Sequence, residues 1–219
     1  MTLSPSSQKW AAILLAASAS LIAYAQAKLP ADVDVQSRAR LPYLKSSEVD
    51  AKGKKVVDIF GKGGTVSGPL AFATYNPAVG QALLDLHDAA VTGGTLDAHT
   101  RELAIMVACR ATNYNLEWNG HEATALRSGI DAKVIDVVRT NGPLTGLTEK
   151  DSAVIRFGRQ LLNDKKVDSA TFAKVVELWG KRGAMDIVAV MNTYAVSGFF
   201  AVAVDEQAAE GKAPLPAVK

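Results

Sequence analysis

The stretch that decides the fold runs from Thr100 to Ile130 and reads TRELAIMVACRATNYNLEWNGHEATALRSGI. Its first half carries the apolar run LAIMVACRA, which shows no period-two alternation and holds no glycine or proline. Its second half places Tyr114, Glu117, Trp118 and His121 at offsets of zero, three, four and seven. Those offsets put the four side chains on one face of a helix. The short turn at Asn113 between the halves predicts an antiparallel helix pair. Glu102, on the first helix, can then face the stripe on the second.

Outward from this pair the chain keeps announcing helices. Upstream, Asn76-Pro77 pairs a favoured N-cap with a residue suited to the first helical position, and predicts a helix to about Val91. The helix before it covers Ser47 to Phe60 and runs into the connector Gly61-Lys62-Gly63-Gly64. That connector lacks a preceding strand and the lysine–serine/threonine ending of a phosphate loop. Downstream, Asp131 opens a short helix to Val138, Thr148 caps another, and Asp168-Ser169 starts one that ends at Gly180. A last helix, Met185 to Val204, is apolar on most sides. It has the length of a membrane span, but Asp186, Asn192 and the absence of basic flanks predict a helix buried in the fold or at a subunit contact. No segment alternates with period two, so the expected fold class is all-α, a single-domain helical bundle over residues 47–207.

The ends read differently. Lys9, the apolar run Trp10 to Ala23 and the Ala25-Gln26-Ala27 site have the pattern of a secretory signal peptide over residues 1–27. Cleavage there predicts a secreted, periplasmic protein. An uncleaved anchor is the competing reading, although the apolar run is shorter than the roughly 20 residues of a spanning helix. Residues 28–46, with Pro30 and Pro42, read as an extended arm, and residues 208–219 as a disordered tail.

Composition narrows the partners. Of 219 residues, 24 are lysine or arginine and 22 aspartate or glutamate, a net charge of +2. This balance, with scattered basic residues, gives no electrostatic footprint for nucleic acid. Cys109 is the only cysteine, so no intrachain disulfide and no CxxC redox pair exist. Its apolar surroundings predict a buried, unreactive thiol.

The chemistry therefore rests on the helix pair. A carboxylate one turn from an imidazole orients it and shifts its pKa, which suits a proton shuttle. The same spacing serves an exposed ion pair. Glu102, Glu117 and His121 could also hold a metal, yet position 125 is Ala125, where helix-borne zinc sites offer a second histidine. His87 is a candidate pocket wall and His99 an exposed residue at a helix start.

Arg101-Glu102-Leu103, Glu117-Trp118 with His121 and Ala125, and Gly129-Ile130 together resemble the signature of the carboxymuconolactone decarboxylase family, in the alkylhydroperoxidase-D-like superfamily. Gly68-Pro69 and Asn76-Pro77 resemble its lead-in, and the likeness spans about Arg38 to Val204. The resemblance implies the superfamily's helical bundle and a homo-oligomer, trimer or hexamer. It also implies a lyase-type enzyme acting on a small-molecule substrate, with no cofactor and no metal. Superfamily peroxidases carry a CxxC pair between their glutamate and histidine; here Tyr114 and Glu117 stand at those positions, which removes thiol peroxidase chemistry.

On this likeness the catalytic candidates are His121 as proton donor, Glu117 to orient and recharge it, Glu102 as a second acid or base, and Tyr114 as donor to a developing oxyanion. Arg101 and Arg110 are candidates for a substrate carboxylate, with Trp118 and His87 as further binding residues. The expected reaction is decarboxylation, elimination or proton transfer on a small lactone or unsaturated acid. Export separates it from the intracellular aromatic breakdown that named the family. The rival is a non-catalytic helical oligomer that binds a small hydrophobic molecule.

Overall fold

The computed structural model describes residues 29–217, so the signal-peptide reading of residues 1–27 lies outside the described residues. Among the described residues seven α-helices follow one another: α1 (Lys54–Phe60), α2 (Pro77–His87), α3 (Ala98–Ala111), α4 (Asn115–Arg127), α5 (Ala132–Thr140), α6 (Glu149–Arg159) and α7 (Ser169–Ala203). Among the described residues the only extended pairing is a single bridge between Lys45 and Thr65. The expected all-α bundle is what the chain adopts.

The central element is α3. Every residue from Glu102 to Arg110 is buried, which is why this helix reads apolar all round instead of amphipathic. It is wrapped by α4, α5, α6 and α7. Asp97 caps its N-terminus by accepting from the Thr100 amide, and a short turn with Asn113 at φ 53° reverses the chain into α4. The same capping chemistry starts α5, α6 and α7 through Asp131, Thr148 and Asp168. At α2 the outcome differs in detail: Pro77 opens the helix, but the Asn76 side chain makes no capping bond. Beyond His87 the chain continues as a π-turn, Asp88–Thr92, in place of further α-helix.

The two helices expected on either side of Gly180 form one 35-residue run interrupted there, at φ 70° and ψ 173°, a conformation that glycine adopts without strain. The C-terminal half is the long apolar segment. By length and composition it could cross a membrane, and more than half of its most apolar window is buried in the fold. Gly198 is the point of closest approach to the end of α3: a Cβ there would meet Thr112 Oγ1 at 2.3 Å.

Two smaller clusters complete the packing. Val56, Val66, Leu70 and Leu84 join α1, α2 and the intervening loop into a wall beside the main core. Ala39, Phe72 and Val204 pin the N-terminal segment to the end of α7. Residues 28–46 were expected as an extended arm; residues 31–41 instead form a series of turns and bends, held where Arg40 N–H donates to Val204 O and Gln207 N–H donates to Arg38 O. Of residues 208–219, expected as a disordered tail, those described are mostly exposed but are anchored to the fold at two points. Ala208 is buried, and the Leu215 amide donates to Asn115 Oδ1 at 2.7 Å. Hydrogen-bond partners on distant elements hold both segments, and no local pattern encodes them.

Candidate active site

The turn at Asn113 lays α4 antiparallel to α3, and this brings Glu102 to His121. The Nδ1–H of His121 donates to Glu102 Oε2 at 2.8 Å. On the other side of the ring, Nε2 lies 3.3 Å from Glu117 Oε2, the expected i,i+4 contact. Glu102 is buried, and Glu117 and His121 are nearly so. Burial alone would lower the His121 pKa, but the hydrogen bonds and charges of Glu102 and Glu117 outweigh it and push it up to about 9. His121 is thus an imidazolium at neutral pH, clamped between two carboxylates.

A fourth group, from α7, was missed by the sequence reading. The Tyr194 oxygen sits 3.2 Å from His121 Nε2 and 3.4 Å from His87 Nε2. Burial, with Glu117 next, raises its pKa well above the usual phenol range, so the hydroxyl keeps its proton. His87 Nδ1 faces Asp88 Oδ1 at 3.5 Å. With Nδ1 donating to Asp88, His87 Nε2 accepts from Tyr194. A continuous polar chain therefore links Glu102, His121, Tyr194, His87 and Asp88 across four helical segments. The available signal was a tyrosine in an otherwise apolar helix, since a buried phenol normally finds a partner.

Tyr194 and Glu117 face a cavity of about 170 Å³, which His87 and Asp88 also line. The remaining walls are mostly apolar and come from the α1–α2 cluster, among them Phe60, Pro69, Leu70 and Leu84. His121 stands behind Glu117 and Tyr194 and is absent from the lining. Burial and the Glu117 charge push Glu206, just past α7, up to about 7. The site therefore carries excess negative charge, moderated by one imidazolium.

Other candidates sit elsewhere. Tyr114 is buried, and its hydroxyl donates to Pro69 O at 3.1 Å, tying the cavity wall to the start of α4 instead of pointing at a substrate. Trp118 is a core residue with the Arg139 guanidinium 5.1 Å above its ring. Arg101 reaches toward Leu96 O, at a long 3.5 Å, and does not line the cavity, although its charge acts on Tyr194. Arg110 lines a different cavity altogether, because it lies about two turns further along α3 than Glu102. His99, expected to be exposed, pairs with buried Asp151 at 2.7 Å, joining the starts of α3 and α6. Cys109 is fully buried, and burial pushes its thiol well above the usual range. Among the described residues, no group of three His, Cys, Asp or Glu side chains is arranged to hold a metal.

Comparison with known proteins agrees with this architecture. The model of the carboxymuconolactone decarboxylase family matches residues 77–159, which hold Glu102, Glu117 and His121. No curated protein matches the sequence. A solved structure of an alkylhydroperoxidase AhpD core, a peroxidase-related protein from Ralstonia eutropha, superposes with a TM-score of 0.60 at 21% identity. It covers 80% of this chain and 97% of its own. A cysteine-to-alanine variant of the debrominase Bmp8, bound to 2,3,4-tribromopyrrole, gives 0.58 at 11% identity, covering 79% and 95%. At these identities the structures speak for the fold alone. Residues 77–159 thus match the carboxymuconolactone decarboxylase family, and the helical fold is shared with both solved structures over about four-fifths of the chain.

Proposed function

We propose that the protein is an acid–base enzyme that moves a proton on a small, largely apolar carbonyl compound of the lactone type. One observation carries the reading: Glu117 and Tyr194 face an apolar cavity while His121, pushed up to about 9, backs both of them. Glu117 takes a proton from the carbon beside the carbonyl. Tyr194 turns its one O–H from His87 Nε2 to the substrate oxygen that gains charge. His121 positions both groups and, through Glu102, moves the proton onward, so its role is relay and positioning where the sequence pointed to direct proton delivery.

The wall chemistry narrows the substrate. No arginine or lysine lines this cavity, and Asp88 and Glu117 do. A substrate carboxylate would meet two acids and no cation, which favours a neutral lactone or enone over a free acid. Convergence of Glu102, His121 and Glu117 within 3.3 Å also favours catalysis over the rival of a non-catalytic binding bundle.

The test is exchange of solvent deuterium into small butenolides, followed by proton NMR. Wild-type protein is expected to catalyse exchange or double-bond migration, and Glu117→Gln to lose it by at least about 100-fold. Undiminished turnover in Glu117→Gln would overturn the proposal.

Two further parts of the reading stand on other features. Export rests on the pattern of residues 1–27 and is checked by finding the processed chain in the periplasmic fraction. Self-association is supported by Met185, Phe199 and Val202, apolar side chains at least half exposed on α7, and sedimentation measures it.

A further inference from the structure

We propose a second binding site, separate from the first, in which Arg110 holds the anionic end of a small organic carboxylate. Arg110 is only 4% exposed, and none of its three guanidinium nitrogens has a hydrogen-bond partner. A guanidinium withdrawn from water with no acceptor and no counter-charge is strongly unfavourable, so the fold leaves a place for an anion. Burial alone pulls its pKa below the usual arginine range, and no opposing charge offsets this.

The place exists. Arg110 lines a cavity of about 360 Å³ between the ends of α3, α5 and α6, within the size range of small-molecule sites. It shares no lining residue with the cavity of Glu117 and Tyr194. Its polar residues are Arg110, Arg159, Asn113, Asn141 and Asn163, with no acid among them. Arg159 is already committed: Nη1 donates to Gly142 O at 2.9 Å and Nη2 to Val137 O at 3.1 Å, which closes the end of α5. Two of its five N–H donors are thereby used, and its charge adds to the attraction for an anion. Arg110 remains as the planar, bidentate donor that suits a carboxylate.

The other walls decide between carboxylate and inorganic anion. Val107, Val138 and Ile155 are buried apolar residues that offer nothing to a fully solvated oxyanion. They suit the hydrocarbon body of an organic acid whose carboxylate reaches Arg110. The asparagines Asn113 and Asn141, both in left-handed turns and exposed, supply amide groups at the cavity's outer side.

The experiment is thermal unfolding of the full chain with benzoate, acetate or phosphate, in wild type, Arg110→Met, Asn163→Phe and His121→Ala. Benzoate at a hundredfold excess over its Kd is expected to raise the wild-type Tm by roughly 5–10 °C. The shift should persist in His121→Ala, vanish in Arg110→Met, and shrink in Asn163→Phe, which narrows the cavity while leaving Arg110 in place. An equal benzoate shift in Arg110→Met and Asn163→Phe would overturn the proposal. So would stabilisation of wild type by phosphate but not benzoate. Sedimentation of the same proteins supplies the last arm: an assembly lost in Arg110→Met, with no benzoate effect in wild type, would assign the guanidinium to a carboxylate of a second copy.

Discussion

Tyr194 stands edge-on to His121, with ring centroids 5.1 Å apart at 90° and its oxygen 3.2 Å from Nε2. The contact joins the apolar C-terminal helix to the α3–α4 pair, and it sets which groups face the cavity. An imidazolium that donates to both Glu117 and the phenol oxygen strengthens Tyr194 as a donor toward substrate. Proton transfer through this arrangement needs residues from opposite ends of the chain.

Tyr194→Phe removes the hydroxyl and keeps the ring that packs on His121. Turnover should fall about 100-fold, as for loss of one oxyanion donor. Stability should fall by about 1–3 kcal/mol, since the hydroxyl's hydrogen bonds to His87 and to the charged His121 are both lost. Steady-state kinetics beside denaturant unfolding separates the two effects.

Stability should decline with rising pH in two successive windows. His121 has a folded pKa of about 9 against 6.5 unfolded, so its contribution is complete below 6.5 and lost as pH rises through 9. That contribution is on the order of 3 kcal/mol. Glu206 is raised from 4.5 to about 7 and behaves in the same sense, its contribution being lost between those values. Urea unfolding from pH 4.5 to 9.5 is expected to show both steps, and Glu206→Gln to abolish the lower one while the upper remains.

Gly198→Ala should destabilise the protein by about 1–3 kcal/mol. The added Cβ would lie 2.3 Å from Thr112 Oγ1 and 2.8 Å from Thr112 Cβ, and neither belongs to a long flexible side chain that could swing away. Because the clash lifts α7 from the end of α3, one turn from Tyr194, turnover should fall as well. Chemical denaturation gives the first number and the exchange assay the second.

Cys109 should be silent toward thiol reagents in the folded protein. Its side chain is fully buried, and burial, with Glu117 and Glu102 next, pushes the thiol well above the usual range. Labelling by a chromogenic disulfide is expected only after denaturant is added, at one thiol per chain.

Much of this architecture is local and therefore legible from residues alone. Asp97, Asp131, Thr148 and Asp168 announce helix starts because a short acceptor side chain meets unpaired amides wherever a helix begins. The Glu117–His121 contact follows from one turn of helix, and the Glu102 contact from a short reversal. Solvent exposure was less legible. Trp118 and Tyr114 share the stripe of His121 yet turn into the core and toward Pro69, because a helix face spans an arc while a cavity occupies only part of it. His99, placed on the surface by its position at a helix start, is held by Asp151 from a helix about fifty residues away.

The residues alone specify an all-helical chain, most of its helix boundaries to within a few residues, a buried cysteine without a redox partner, and a carboxylate–imidazole pair; the helix expected from Ser47 starts only at Lys54, after two 3-10 turns. Those properties depend on side chains within one or two helical turns of each other. Only the tertiary structure decided that Tyr194 and His87 complete the site, that Glu117 instead of His121 faces the cavity, and that Arg110 opens into another. Each of these depends on how α2 and α7 pack against α3, and a contact across 73 residues, such as Tyr194 to His121, leaves no periodicity in the chain to read.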